Sequence, residues 1–436
     1  MINELHYNYF LTYAALTAAL VVAYIKIKST DGVTITTKEF KKFQYSFLGG
    51  YGAIILAELV AVASFYHIMV SLELEIEQIT NIYITTVVST TVWGILIEIF
   101  DIGSRKTKCF LAAALYAAAL FTLSFGGHYE MVLLSRIMFG AASALHHSSF
   151  EAYVIHQHTI LGFPEDWLSQ TFTLLPHVMA IAAATSGPLG HIASGLASHG
   201  KGCITVVMLL GGFAMFHIQS NWEKDTNPPR FMWSNFLYTM SNTIASAKIN
   251  NCVRSILLIG AFYEATVVII TFYWAPWLDF VVLNQSGDAD AATNFPYEIV
   301  FACYICASML GNYLFQIVSA SESVPDSALF NYVLIGTAAS YLIASYLSSA
   351  MLIFVVSIVI HLLMGAYWSC IGVLRAQHIP PEYRGAPVTL TRVATLVLVM
   401  LVLVNVHSSP TMIMLCCGVF AGIAAYLQST IMNEVS

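Results

Sequence analysis

Ten ionisable side chains within the long apolar stretches of this 436-residue chain are candidates for chemistry. If those stretches cross a bilayer, each charge costs about 2.5 to 3.5 kcal/mol at its centre, so it must pair or face water. In such a setting a carboxylate or imidazole can exchange protons, and a guanidinium can bind an anion. The ten side chains are Glu58, Glu98, Arg136, His146, His147, Glu151, His177, Glu264, His361 and Arg392.

Arg136 begins a polar stripe on one predicted helix. Gly140, Ser143 and His147 follow it at spacings of four, three and four residues, which places all of them on one helical face, and Glu151 extends that face. One interpretation is that the stripe lines a solute path in which Arg136 binds an anion through charge-assisted hydrogen bonds. The other is that Arg136 and Glu151 hold neighbouring helices together. The pattern leaves both interpretations open.

Two carboxylates occupy comparable places in the two halves of the chain. Glu58 lies midway along the first predicted helix of one half, and Glu264 lies midway along the first helix of the other. Burial would favour their protonated forms, so both could bind protons reversibly and contribute to solute binding. The alternative is a static bridge to a basic partner. His177 and Arg392 also occupy comparable places, and Arg392 is close enough to a helix end to extend toward water or to act in gating.

The composition identifies the elements that must position these groups. Charged residues make up only 9% of the chain, apolar residues make up 58%, and the mean hydropathy is +0.75. The apolar stretches are near the roughly 20 residues that a helix needs to cross a bilayer, and they lack the alternation of barrel strands. We therefore predict an all-α, multi-pass membrane protein with spans at 8–27, 44–68, 79–100, 109–127, 131–155, 171–197, 203–220, 252–280, 296–319, 329–347, 350–373, 387–406 and 410–431.

The thirteen predicted spans form two groups of six with one additional helix at the front. Residues 1–43 contain the additional helix and a basic loop, 44–220 form one half, and 251–436 form the other. Residues 221–250, rich in charge and proline, are predicted to be a linker. This is the layout of two packed halves that rock around a central site. Because Glu4 replaces the basic start of a signal peptide, we favour retention of the first helix.

The basic residues predict the orientation, because short basic loops stay in the cytoplasm. With the N-terminus outside and the C-terminus inside, 14 of the 17 basic residues fall in cytoplasmic loops, and only Lys201 falls in an opposite loop. The plasma membrane is the expected location. The fourteen residues are Lys26, Lys28, Lys38, Lys41, Lys42, Arg105, Lys106, Lys108, Lys224, Arg230, Lys248, Arg254, Arg375 and Arg384.

Motifs for nucleotide binding, zinc binding and hydrolase nucleophiles are absent from the sequence, so we predict neither an enzyme nor an ATP-driven pump. We expect no cofactor, no metal and no nucleic-acid partner. The eight cysteines lie in or beside apolar stretches and imply no disulfide framework. We interpret the CxxC pair Cys303 and Cys306 as packing residues.

The loop after the span at 79–100 resembles the D-x-x-G-R-K motif of the major facilitator superfamily. It reads Asp101-Ile102-Gly103-Ser104-Arg105-Lys106, with Ser104 in the glycine position. The motif implies a gating role in which Asp101 pairs with a neighbouring helix end while Arg105 and Lys106 remain cytoplasmic. In that superfamily the motif follows the second of twelve helices, which agrees with an additional first helix here.

Three further segments resemble the molybdate-anion transporters of that superfamily. Residues 150–158 are similar to F-E-A-W-Y-I-H-E-H, with departures at Tyr153, Val154 and Gln157. Residues 274–278, after Glu264, are similar to W-T-P-x-L. Residues 374–375, 379–380 and 392–393 resemble L-R, I-P and R-V-P, with Ala394 in place of the proline.

This resemblance implies alternating-access transport of a small oxyanion, with molybdate first among the candidates and the lipid bilayer as the surroundings. We predict substrate binding by Arg136, Ser143, His147, Glu58 and Glu264, and coupling or gating by Glu151, Asp101, Arg105 and Arg392. Proton coupling is one option. The alternatives are a proton-coupled carrier of an organic or cationic solute and a membrane scaffold or sensor without transport.

Overall fold

The structure is a computed structural model that describes residues 2–30, 36–101, 103–125, 128–197, 200–224, 230–286, 295–321, 323–379, 385–406 and 409–435. These ranges contain fourteen α-helices, one 3-10 turn and a two-stranded ribbon. The helices are α1 (Ile2–Thr30), α2 (Lys38–Ser71), α3 (Ile76–Ile99), α4 (Arg105–Thr122), α5 (Tyr129–Ile160), α6 (Glu165–Leu196), α7 (Lys201–Asn221), α8 (Trp233–Ile249), α9 (Asn251–Ser286), α10 (Tyr297–Ala320), α11 (Asp326–Ala344), α12 (Ala350–His378), α13 (Gly385–Val406) and α14 (Pro410–Val435).

The prediction of an all-α multi-pass membrane protein is confirmed. Each of the thirteen predicted spans falls on a helix, and twelve of the described helices are long and apolar enough to cross a membrane. The predicted span at 131–155 falls on α5, which is not among these twelve helices because its charged residues and histidines lower its hydropathy. Helix α5 nevertheless packs against α3 and α4. Arg384, which entered the orientation prediction, lies outside the described residues.

Short polar signals set the helix starts. Thr37 caps α2 by accepting a hydrogen bond from the Phe40 amide at 3.3 Å, and Ser104 caps α4 by accepting one from the Thr107 amide at 3.3 Å. Glu75 and Gln78 form a capping box at the start of α3. These caps satisfy amide groups at helix ends, where the intrahelical ladder has not yet begun.

The N-terminal unit comprises Thr30–Trp233 together with Pro296–Ala302, the first turn of α10. Helix α2 packs against α6 and α7, and α4 packs against α5 and α7. Their shared core is built from small and aromatic side chains, including Ala112, Tyr116 and Phe150, none of which is more than 1% exposed.

The C-terminal unit comprises Met1–Ser29, Ser234–Phe295 and Cys303–Ser436. Its helix α9 packs against α12, α13 and α14, and α11 packs against α12 and α14. The additional helix α1 belongs to this unit, where the buried Tyr9 ring lies edge-on to Phe295 and Phe354. If the six helices of each unit are numbered in chain order from α2 and from α9, the two units share a packing pattern. In both, the first helix packs against the fifth and sixth, and the third packs against the fourth and sixth.

The predicted linker contains a strand and a helix that were not predicted from the sequence. Strand β1 (Phe100–Asp101) pairs antiparallel with β2 (Arg230–Phe231), and the Met232 amide donates to the Ile99 carbonyl at 2.8 Å. Helix α8 follows at once. The linker is thus paired with the end of α3 at Arg230–Phe231, and it is helical from Trp233 onward.

Helices α10 and α12 meet through reciprocal glycines. A Cβ atom at Gly311 of α10 would overlap the Leu362 carbonyl of α12, and one at Gly365 of α12 would overlap the Ser308 carbonyl of α10. Glycine at these two positions therefore allows the two helices to approach closely. In the N-terminal unit, Gly140 of α5 lies close to the Ser89 side chain and the Thr90 amide of α3.

We expect Gly365→Ala to destabilise the protein by about 1 to 3 kcal/mol, because the added methyl group must displace backbone rather than a side-chain tip. The measurement is the midpoint of thermal unfolding of the purified protein in detergent. Gly372→Ala is the matched control, since it lies in the same helix and its Cβ would meet nothing within 4 Å. An equal effect of both substitutions would show that the close contact does not matter.

Candidate functional site

Arg136 is buried between aromatic rings in the N-terminal unit. It is 3% exposed, its Cζ atom lies 3.5 Å from the centre of the Phe65 ring on α2, and the Phe139 ring centre is 4.6 Å away. Its Nη2 donates to the Ser135 hydroxyl at 3.3 Å. The guanidinium therefore rests on π faces, which attract a cation without neutralising its charge.

No carboxylate among the described residues forms an ion pair with Arg136. Its Nε–H also finds no acceptor within the part of the chain that the structure covers. A guanidinium carries five N–H donors, and a buried one that keeps an unused donor and its full charge is suited to receive an anion.

Glu58, His146 and His147 form a second cluster in the same unit. The His146 Nδ1 atom lies 3.1 Å from the Glu58 Oε2 atom, and one potential ligand atom from each of the three residues lies within 4.8 Å of the others. His146 is 3% exposed, whereas His147 is exposed. Glu58 and His147 were predicted from the sequence as binding residues, whereas no contact was predicted for His146. Adjacent residues on a helix point about 100° apart, so their convergence could not be predicted.

The polar stripe of α5 divides into two parts. At its start Arg136 is buried and Gly140 packs on Ser89, so this part faces other helices. Further along, Ser143 is half-buried, and His147 and Glu151 are exposed. Arg136 and His147 are separated by about 16 Å along the helix at 1.5 Å per residue. The structure therefore does not bring them together around one small solute.

In the C-terminal unit Glu264 is paired. The Arg375 Nη2 atom donates to the Glu264 Oε1 atom at 2.7 Å, and the side chains are 21% and 14% exposed. Arg375 was predicted to lie in a cytoplasmic loop, but it is part of α12 and reaches across α9 at Gly260. A Cβ atom at Gly260 would lie 2.9 Å from the Arg375 Nη2 atom and 2.9 Å from the Thr391 Cγ2 atom, so a larger residue there would require these side chains to shift.

The loop motif between α3 and α4 is held by its own charges. Partial burial opposes ionisation of Asp101, but hydrogen bonds from Lys108 and the Gly103 amide, with the charges of Lys108 and Arg105, outweigh it and lower the pKa of the carboxyl. Asp101 is therefore charged at neutral pH. Lys106 is buried, and its Nζ donates to the Gln219 and Trp222 carbonyls at the end of α7.

The remaining predicted residues are spread through both units. Arg392 is half-buried in α13, His177 is half-buried in α6, and Glu98 lies beside Asp101 in a cavity of about 280 Å³. His361 is 2% exposed and stacks on Tyr304 with 4.6 Å between ring centres.

Glu298 is a buried acid that was not predicted from the sequence. It is 1% exposed in the first turn of α10, and its Oε1 atom lies 3.4 Å from the His67 Nδ1 atom within the N-terminal unit. Gly190 of α6 leaves room for it, because a Cβ there would lie 3.0 Å from the Glu298 Cγ atom. An acid in a first turn normally complements the helix dipole from the surface, so its position gave no signal of burial.

Comparison with protein families matches residues 6–365 to the MFS_5 family, described as sugar transporters with 12 transmembrane segments. The chain is 24% identical over 306 residues to the molybdate-anion transporter of Xenopus tropicalis, an alignment that covers 67% of this chain and 62% of that protein. It is 23% identical over 439 residues to the molybdate-anion transporter of Danio rerio, covering 92% and 87%.

Among solved structures, the nucleoside transporter NupG is similar with a TM-score of 0.63 at 12% identity, covering 91% of this chain and 99% of that one. At this identity the likeness shows the fold alone. The solutes named for these relatives differ, since they are sugars, molybdate and nucleosides. What these proteins share with the chain is therefore the fold and the integral, multi-pass membrane setting.

We expect Arg375→Met to destabilise the protein by about 2 kcal/mol, because it leaves the Glu264 carboxylate without its partner; partial exposure keeps the loss below that of a fully buried pair. The double variant Glu264→Gln/Arg375→Met should recover at least half of the stability lost in Arg375→Met. Thermal unfolding of the four proteins of this cycle measures the coupling.

Arg254→Met is the control, since Arg254 is an exposed arginine whose Nη2 donates to Asn251 at the start of α9. Additive effects of the two substitutions at Glu264 and Arg375 would contradict the ion pair as a source of stability.

Proposed function

Because the chain belongs to the MFS_5 family of the major facilitator superfamily, we propose that it carries a small inorganic oxyanion across a membrane by alternating access, with molybdate as the first candidate. The single observation that carries this proposal is the Arg136 guanidinium, which is buried, rests on two aromatic rings and has an unused N–H donor among the described residues. The names of the amphibian and fish relatives support the choice of molybdate.

The chemistry of Arg136 fits a tetrahedral oxyanion. Two parallel N–H groups of a guanidinium can bind two oxygens of one anion, which a lysine ammonium cannot do. The aromatic rings of Phe65 and Phe139 hold the guanidinium plane and exclude water, so the attraction is weakly screened. Because Arg136 is 3% exposed here, the solute reaches it only after the packing around it opens.

The other half of the α5 stripe supplies a hydrophilic route. His147 and Glu151 are exposed in a helix of the membrane bundle, where a polar side chain must face water rather than lipid. We assign the solute path to this face, with Ser143 between the exposed groups and Arg136. Glu151 is the coupling residue in this scheme, and Glu264, Asp101, Arg105 and Arg392 act in gating.

We place the protein in the plasma membrane with the N-terminus outside and the C-terminus in the cytoplasm. The support is the sequence pattern, in which 14 of the 17 lysines and arginines fall at or near the ends of the predicted spans that this orientation places in the cytoplasm. In this orientation Arg136 lies toward the outer end of α5 and Glu151 toward the inner end.

Arg136→Ala should abolish molybdate uptake by cells that express the chain at matched surface levels. Arg136→Lys should keep the charge but lose the paired donors, so its KM should rise about tenfold, as expected for the loss of one charge-assisted hydrogen bond. Arg254→Ala, at an exposed arginine, should transport like the unmodified chain. Normal molybdate uptake by Arg136→Ala would remove Arg136 from the site.

Competition defines the solute class. Excess sulfate should reduce molybdate uptake, because it is also a tetrahedral dianion, whereas nucleosides, sugars and organic cations should not. Inhibition by an organic cation but not by sulfate would instead favour a carrier that uses its carboxylates. A well-folded surface protein that takes up none of these solutes, and whose Ser143→Cys variant in a cysteine-free background resists labelling from both sides, would favour a scaffold.

Glu151→Gln should remove the dependence of molybdate uptake on external pH while leaving the affinity for molybdate unchanged, because the amide cannot bind a coupled proton. Uptake by the unmodified chain should rise as the external pH falls. Glu130→Gln is the control, an exposed glutamate in the first turn of the same helix. A pH dependence that survives Glu151→Gln would assign coupling to another group.

A further inference from the structure

We propose that Glu58, His146 and His147 form a binding site for a divalent transition-metal ion of the Zn²⁺ class within the N-terminal unit. Their potential ligand atoms lie within 4.8 Å of one another. Two imidazole nitrogens and one carboxylate oxygen are a common ligand set for zinc, and three protein ligands leave a fourth position open.

The arrangement of the two histidines is the first argument. Neighbouring helix residues normally point in different directions, yet the His146 and His147 rings are nearly parallel, with centres 5.1 Å apart and 24° between their planes. This brings nitrogens of both rings toward the carboxylate of Glu58, which enters from a different helix. A ligand set from two packed helices is the usual way to build a metal site in a bundle.

The distances are the second argument. Ligands about 2.0 to 2.2 Å from a tetrahedral zinc ion are separated by about 3.3 to 3.6 Å. The His146 Nδ1 and Glu58 Oε2 atoms already lie 3.1 Å apart, so the ion would replace the proton that this pair shares. His147 needs a shift of at most about 1.5 Å, which a side-chain rotation can supply because this residue is exposed.

The surroundings favour an ordered site with an entry route. Aromatic rings surround His146: Tyr51, Tyr116 and Phe150 lie with their centres 5.7, 6.4 and 5.2 Å from its own. They fix the buried imidazole, while the exposed His147 provides access from the hydrophilic face of α5. Imidazole ligands select zinc, copper, nickel and cobalt over magnesium and calcium.

This site is independent of anion binding at Arg136, from which it is separated by about 15 Å along α5. An ion bound there would link α2 to α5 and hold Glu58 in place. It would also compete with any proton that Glu58 and His146 exchange.

The test is metal binding by the purified full chain, prepared with an affinity tag that contains no histidine and stripped of metal with a chelator. Titration with Zn²⁺ against a chromophoric competitor should give one equivalent bound, and Mg²⁺ should not bind. Co²⁺ should produce the visible absorption of a four-coordinate ion. His146→Asn, His147→Asn and Glu58→Gln should each weaken Zn²⁺ binding at least about tenfold.

His156→Asn is the matched control, because His156 lies in the same helix outside the cluster, and it should bind Zn²⁺ unchanged. Zn²⁺ should also raise the thermal unfolding midpoint of the unmodified chain but not of His147→Asn, whose exposed side chain can be replaced without unfolding the protein. Absence of stoichiometric binding, or binding that all three variants retain and that removal of the cysteines abolishes, would overturn the proposal.

Discussion

A carboxylate inside a membrane helix needs a basic partner or water, and in each unit the carboxylate of the first helix meets a basic group of the fourth. Glu58 on the first helix of one unit meets His146 on its fourth, and Glu264 on the first helix of the other meets Arg375 on its fourth. Since an unpaired charge costs several kcal/mol in this setting, these contacts restrict how the first and fourth helices can rotate about their axes. The register of the neighbouring helices follows from that restriction.

The charge of Arg136 is accommodated in a different way from that of the two carboxylates. Its charge is held by aromatic faces and a hydroxyl rather than by a carboxylate among the described residues, so the field around it stays positive. A transporter of anions needs such a field, because a guanidinium already neutralised by a glutamate would give a dianion no net attraction. The two sites in the N-terminal unit therefore differ: Glu58 lies against a basic side chain of the protein, whereas Arg136 has no carboxylate partner among the described residues.

Much of the architecture could be predicted because the bilayer imposes a length on every span, and that length is visible in the sequence. Glu58 and Glu264 were identified for the same reason, since a charge in an apolar stretch is conspicuous. Their partners were not. His146 and His147 are indistinguishable by spacing, and Arg375 resembles a loop residue until Gly260 is seen to admit its side chain. Such contacts join residues roughly a hundred positions apart and depend on helix rotation, which periodicity alone does not specify. The roles of the predicted site residues stay predictions.

The glycines between α10 and α12 bear on how the C-terminal unit can move. Where backbone meets backbone, no side-chain torsions lie between the helices to absorb a displacement, and sliding by even one residue would drive a Cβ atom into a carbonyl. At this contact the two helices therefore cannot slide past each other without a steric clash. Conformational change within this unit is therefore expected at contacts made by flexible side chains rather than between α10 and α12.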